Sequence, residues 1–304
     1  MYADFAHGGL PGRPGRNRAR ALAVQGGAVR RVGDILFGLA VAAVVLWSLG
    51  PFLWQIITSL KPPAEVVTAP PTYWPSAPTL ASYFKIFATR PFAAYIRNSA
   101  LIALASTALC TALGTPAAYA LARLPLPGGS WAVRAVLLVS VFPPTILIVP
   151  LYKLVARLGL LNDPLGLILP YTALNLPFTI WVLMTFFKQI PKELEEAAAV
   201  DGLSRWQTLW KIVFPLSAPA VATAAILVFI FSWNEFLLAM TFMSRDSART
   251  VPVGIAMLSG ASSYEVPWDQ ISAAVVLTTL PVVALVLAFQ RRIVEGLTAG
   301  AVKG

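Results

Sequence analysis

Acidic side chains in two settings could do chemistry in this chain. Glu193, Glu195, Glu196 and Asp201 crowd into PKELEEAAAVDGLSRWQTLWKIVFP, residues 191–215, while Glu235 stands alone in the apolar FSWNEFLLAM. Neither setting has the companions an active site needs. The single histidine, His7, lies near the N-terminus, which rules out a Ser/His/Asp arrangement. The one cysteine, Cys110, lies inside an apolar run and offers neither a disulfide framework nor a Cys-rich metal site, so no metal is expected. No G-x-x-x-x-G-K-[ST] loop occurs, so no ATP site is expected in this chain.

What remains is binding and coupling. A carboxylate within an apolar run is expensive and by default faces a cavity or a partner charge. Trp233 and Asn234, next to Glu235, supply an aromatic face and an amide, groups that can stack on and hydrogen-bond a sugar. Glu235 also lies near the end of its run, where reaching water makes it cheap, so a structural and a pathway role both stand open. Asn175, with Trp181, is a weaker pathway candidate, because a polar side chain there can simply join helices.

The elements that must position these groups are membrane spans. With 58% hydrophobic and only 12% charged residues, the composition excludes a soluble globule. The expected class is an all-α membrane protein with six transmembrane helices. Six runs are long enough or nearly so: 35–60, 98–122, 135–152, 164–187, 212 to about 243, and 270–290, the third being shortest. Prolines inside them, among them Pro116, Pro143, Pro144, Pro170, Pro177, Pro219 and Pro281, predict kinks. The net charge of +10 is spread along the flanks of the runs and does not form a nucleic-acid patch. With both termini cytoplasmic, 15 of the 23 Lys and Arg fall on the inner side, in keeping with the positive-inside bias. Residues 1–33, rich in Gly and Arg, read as a flexible basic cytoplasmic tail, and 34–304 as the membrane domain. The proline-rich 61–94 reads as an outer loop, and 250–264, with Gly254, Gly260, Ser262 and Ser263, as a second outer loop or surface helix. That second segment either faces a partner or packs at the interface.

The polar loop 188–211 on the inner side reads as two short helices. Pro191 suits a first turn, followed by acids at the positive end of the dipole. Ala197, Ala198 and Ala199 favour helix and leave room for a close partner. Gly202 supplies the turn. Ser204 caps a second helix whose Trp206, Leu209, Trp210 and Val213 recur at helical spacing.

Glu196, Ala197, Ala198, Asp201 and Gly202, followed by Ile212 and Pro215, resemble the EAA loop of bacterial ABC importer permeases. Phe214 stands where that family has leucine. PLYKLVARLGLLNDPLGLILPY, WNEF and the closing GLTAGAVKG are similar to sugar permeases of the carbohydrate-uptake type, in particular the second permease of maltose and trehalose importers. The resemblance covers about residues 35–304 and implies a type I ABC importer permease in the bacterial inner membrane, a transport subunit and not an enzyme. It implies a second permease as heterodimer partner, two ATPase subunits that carry the ATP and Mg²⁺ in this chain's place, and an external sugar-binding protein. It further implies that Glu196 faces an arginine of the ATPase, that Ala197, Ala198 and Gly202 form the docked surface, and that Gly300, Val302, Lys303 and Gly304 reach the ATPase. The cargo implied is a di- or oligosaccharide, trehalose or maltose favoured. The competing readings are an ion-coupled secondary transporter, which should show repeats and more intramembrane charge, and a membrane glycosyltransferase, which should show a loop of clustered acids or histidines.

Overall fold

The chain is described here as a computed structural model over residues 16–141, 143–258 and 266–299. The first helix, α1 (Arg16–Ser59), is long and apolar enough from Gly33 onward to cross a membrane. Residues 16–33, expected as part of a flexible tail, are helical. Arg, Ala, Leu and Gln are good helix formers and carry α1 back past its apolar run. The chain forms two compact units that divide after Trp54, and the fold described below belongs to the second, Gln55–Gly304.

That unit begins with a loop that carries α2 (Pro63–Val66) and leads into α3 (Ala81–Thr89). Glu65 accepts hydrogen bonds from the hydroxyl and the backbone N–H of Ser76, and these hold its carboxyl below the usual carboxylate range. The helix α4 (Phe92–Arg123) follows, then α5 (Gly129–Val141) and, after a 3-10 turn at Pro144–Leu147, α6 (Ile148–Arg157). The run 135–152 is therefore not one helix. Pro143 and Pro144 lack N–H donors and crowd the preceding turn, so the helix ends at Val141 and restarts in a new direction.

Next come α7 (Leu165–Phe187), α8 (Lys192–Val200) and α9 (Arg205–Thr208), then a π-helical turn, Leu209–Val213. The fifth run continues through α10 (Phe214–Leu216), α11 (Ala218–Asn234) and α12 (Leu237–Phe242). It too is broken, with a bend of 81° between Arg205–Leu216 and Ala218–Asn234. The chain closes with α13 (Val251–Leu258) and α14 (Trp268–Ala299). Among the described residues four helices are long and apolar enough to cross a membrane, or six if each bent pair counts as one span.

α4 is the central helix, packed on α7 and α11. Its buried Ser106, Cys110, Gly114 and Ala118 recur every fourth residue and make one stripe of small side chains. Such a stripe lets backbones approach where no hydrophobic drive exists. Across it, Ser106 Oγ reaches the Ile168 carbonyl at 3.5 Å and Cys110 Sγ the Thr172 carbonyl at 3.4 Å.

The Tyr95 end of α4 carries the 246–258 segment. Tyr95 donates its hydroxyl to Asp246 Oδ1 at 2.7 Å, Asn98 Nδ2 donates to the Ser247 and Arg249 carbonyls at 2.9 and 3.1 Å, and the Val251 N–H donates to Ser99 Oγ at 2.8 Å. A Cβ on Gly254 would lie 2.2 Å from the Tyr95 ring, so only glycine lets α13 sit this close. Residues 251–258 are thus packed on the bundle, whereas Gly260, Ser262 and Ser263 lie outside the described residues.

Candidate functional site

The polar loop folds as a helical hairpin. Pro191 is the N-cap of α8, one position earlier than expected, and Glu193 and Glu195 occupy the first turn. Gly202 has φ +80°, a left-handed conformation that side chains other than glycine's disfavour. The Leu203 N–H bonds back to the Ala198 carbonyl at 2.9 Å and closes the turn. Ser204 then starts α9 with a reciprocal cap: its N–H donates to Gln207 Oε1 at 2.9 Å and its Oγ accepts from the Gln207 N–H at 3.3 Å.

The second arm is rooted in the bundle. Leu209 and Val213 are buried in the same cluster as Tyr119, Phe187 and Ala220, so the hairpin shares a core with α4, α7 and α11. On its other face Trp206, Trp210 and Phe214 form a ring ladder with centroids 5.6 and 5.0 Å apart, and Trp206 remains 61% exposed. Ile212 is half-buried in the π turn, and Pro215 is exposed in α10. At the elbow, Ser217 donates its backbone N–H at 2.9 Å and its hydroxyl at 2.7 Å to the Val213 carbonyl.

The expected docking residues do not all face one way. Glu196, Ala197, Asp201 and Gly202 are exposed. Ala198 is not: it is only 2% exposed, so it packs within this chain and cannot belong to the open face. Successive residues on a helix point about 100° apart, so an alanine next to an exposed one can turn fully inward.

At the base of the hairpin, Tyr119 and Arg123 are not singled out by the sequence, and Glu195 reads there only as a partner of the helix dipole. Arg123, the last residue of α4, has its Nε 2.7 Å from Glu195 Oε1, the two side chains being 5% and 17% exposed. The contact is a charge pair and not an aligned hydrogen bond. Tyr119 donates its hydroxyl to Glu195 Oε2 at 2.9 Å, and Arg123 Nη2 donates to the Ile190 carbonyl. Beside them opens a cavity of about 360 Å³ lined by Lys192, Glu196 and Arg205 among others. The available signal was an arginine at the end of one apolar run and an acid ahead of the EAA pattern. Separately, those read as a topology charge and a dipole partner.

The pathway candidates are dispersed. Asn175 is buried in α7, donates Nδ2 to the Tyr171 carbonyl at 2.8 Å, and lines a cavity of about 330 Å³ with Val139, Pro144, Phe178 and Phe231. Trp233, stacked on Phe229 at 5.7 Å, and Asn234, bonded to the Ile230 carbonyl at 2.8 Å, line a different cavity of about 270 Å³ against α13 and α14. Glu235 lines neither of these two cavities. Its carboxylate accepts from the Leu238 and Ala239 N–H groups at 2.8 and 3.1 Å and from the Tyr171 hydroxyl, capping α12 and tying it to α7. The structural role is the one its contacts describe. Glu235→Ala is expected to lower stability by about 1–2 kcal/mol, as loss of a helix cap does, and Glu235→Gln by less. Thermal unfolding of the detergent-solubilised protein measures this; an alanine variant that melts with the wild type would remove the capping role. Among the described residues no cluster of three or more metal-ligating side chains occurs. Gly300, Val302, Lys303 and Gly304 lie outside the described residues.

Residues 113–298 match the family model described as binding-protein-dependent transport system inner membrane component. The chain is 45% identical over 272 residues to the sulfoquinovosyl glycerol transport system permease protein SmoH of Agrobacterium fabrum, covering 90% of this chain and 95% of that one. It is 44% identical to the trehalose transport system permease protein SugB of Mycobacterium tuberculosis, covering 86% and 94%. To the trehalose/maltose transport system permease protein MalG of Thermococcus litoralis it is 40% identical, covering 91% and 98%. In fold it is similar to a chain of a bacterial ABC transporter that imports alginate, with a TM-score of 0.75 at 22% identity, covering 86% of this chain and 96% of that one.

Proposed function

The chain belongs to the inner membrane components of binding-protein-dependent transport systems, and on that premise we propose that it moves a di- or oligosaccharide, trehalose or maltose favoured, delivered by an external binding protein. It is a multi-pass inner-membrane ABC importer permease and a transport subunit. The family membership displaces the ion-coupled reading, and the acids of the polar loop belong to the EAA pattern, not to a glycosyltransferase site. The observation that carries the proposal is the capped hairpin around Gly202, exposed at Glu196 and rooted in the core through Leu209 and Val213.

The remaining parts follow from that reading. This chain pairs with a second permease, and two ATPase subunits hold the ATP and Mg²⁺ and dock on Glu196, Ala197, Asp201 and Gly202. Both termini face the cytoplasm, and Gly300, Val302, Lys303 and Gly304 reach toward the ATPase. Sugar passes the aromatic cavity at Asn175, where Phe178 and Phe231 offer faces for a pyranose ring. The test is ATP-dependent uptake into proteoliposomes that hold the whole importer, with trehalose, maltose and sulfoquinovosyl glycerol each presented on its binding protein. Uptake of none of them would remove the cargo reading.

Asn175→Leu keeps the branched outline of the side chain and deletes its amide. The expected result is a rise of about tenfold in the sugar concentration for half-maximal uptake, the effect of losing one good hydrogen bond in a dry site. An unchanged concentration dependence would take Asn175 out of the pathway.

A further inference from the structure

Arg123 and Glu195 join two helix ends whose dipoles suit them. Arg123 lies in the last turn of α4, where a cation is favoured, and Glu195 in the first turn of α8, where an anion is favoured. Tyr119 holds the other carboxylate oxygen, and its ring lies edge-on to Phe187, the last residue of α7, with centroids 6.4 Å apart. The ends of α4 and α7 thus meet the start of α8 at one point. Ala198 is the one buried side chain in α8, so the helix has little packing of its own to hold it against the bundle. A buried charge pair differs from a packing contact in one respect: removing either partner strands the other charge, so the pair acts as a catch that is closed or open.

We propose that Arg123, Glu195 and the Tyr119 hydroxyl are positioning residues that latch the coupling helix to the second span. The latch ties α8 to α4 through Glu195, on the inner side of the helix, while Glu196, about 100° further round, stays on the outer side. It also gives movement of α8 a direct route into α4, beside the route through α9 and α11. This rests on the coupling reading of the hairpin.

The experiment uses the whole importer in proteoliposomes, with the partner permease, the ATPase and the sugar-loaded binding protein. Variants are Arg123→Gln, Glu195→Gln, Tyr119→Phe, and the exchange of Arg123→Glu with Glu195→Arg. The readouts are ATPase co-purification and sugar moved per ATP hydrolysed. The expected result is that the ATPase still co-purifies with the two glutamine variants while sugar moved per ATP falls by about tenfold, the scale on which residues along a coupling route act. Tyr119→Phe, which removes one hydroxyl, should lower the ratio by about threefold, and the exchange should recover most of the loss. A wild-type ratio in the single variants would overturn the latch. So would impaired glutamine variants with no rescue by the exchange and a silent Tyr119→Phe, or loss of the ATPase from the glutamine variants. Failure of the underlying coupling reading looks different: no ATPase co-purifies even with the wild-type chain.

Discussion

Glu196→Lys is expected to detach the ATPase and abolish sugar uptake while the protein still inserts and folds. Glu196 is exposed on α8 and, among the described residues, has no ion pair of the kind that holds Glu195, so its charge can be reversed without disturbing the packing seen there. Its cost falls on the partner. Truncating one side of a buried, hydrogen-bonded charge pair at an interface costs about 2–5 kcal/mol, and reversing the charge adds repulsion, so association should weaken by roughly 30-fold or more. Co-purification from membranes that contain all subunits measures the first part, and labelled-sugar uptake the second. A variant that retains both would dissociate Glu196 from coupling altogether.

Gly202→Pro should be as severe for uptake, by a different route. Proline requires φ near −65°, and Gly202 sits at +80°. Its N–H also donates to the Ala199 carbonyl at 3.1 Å, a bond proline cannot make. Together these exceed about 3 kcal/mol, enough to open the hairpin turn but concentrated far from the α4–α7 core. The expected phenotype is normal expression and membrane insertion with no measurable uptake. Gly202→Ala, which only pays for a left-handed alanine at about 1 kcal/mol, should keep part of the activity. Equal uptake by the proline variant and the wild type would show that the turn geometry does not matter.

The hairpin was legible because each of its signals is local. Pro191, Gly202 and Ser204 act on their immediate neighbours, and each appears in the fold within one position of its expected place. The interruption after residue 141 was half-legible. Pro143 and Pro144 announced a kink, yet hydrophobicity alone could not tell a kinked span from two helices. Glu235 showed its expense but not its purpose, since its bonds to the first-turn amides of α12 depend on the chain leaving α11 at that residue. The side-chain ties at the base of the hairpin were not legible at all. Tyr119 and Glu195 are 76 residues apart, and no period or motif relates a residue at the end of one span to one beyond two others. Ala198 shows the same limit on a smaller scale: the motif names the residue, and only the packing says which way its methyl points.

On the proposed coupling, the 81° elbow at Ser217 would make the fifth span a bell crank. Arg205–Leu216 and Ala218–Asn234 are arms of roughly 18 and 25 Å, at a rise of about 1.5 Å per residue. Pivoting near Ser217, a rigid pair of arms so nearly perpendicular turns a sideways push at the Gly202 end into travel at right angles to it at the Asn234 end, enlarged by a factor of about 1.4. The mechanical advantage lies in the corner and not in either helix. The Ser217 hydroxyl, bonded back to the Val213 carbonyl at that corner, is the kind of contact that bends a helix.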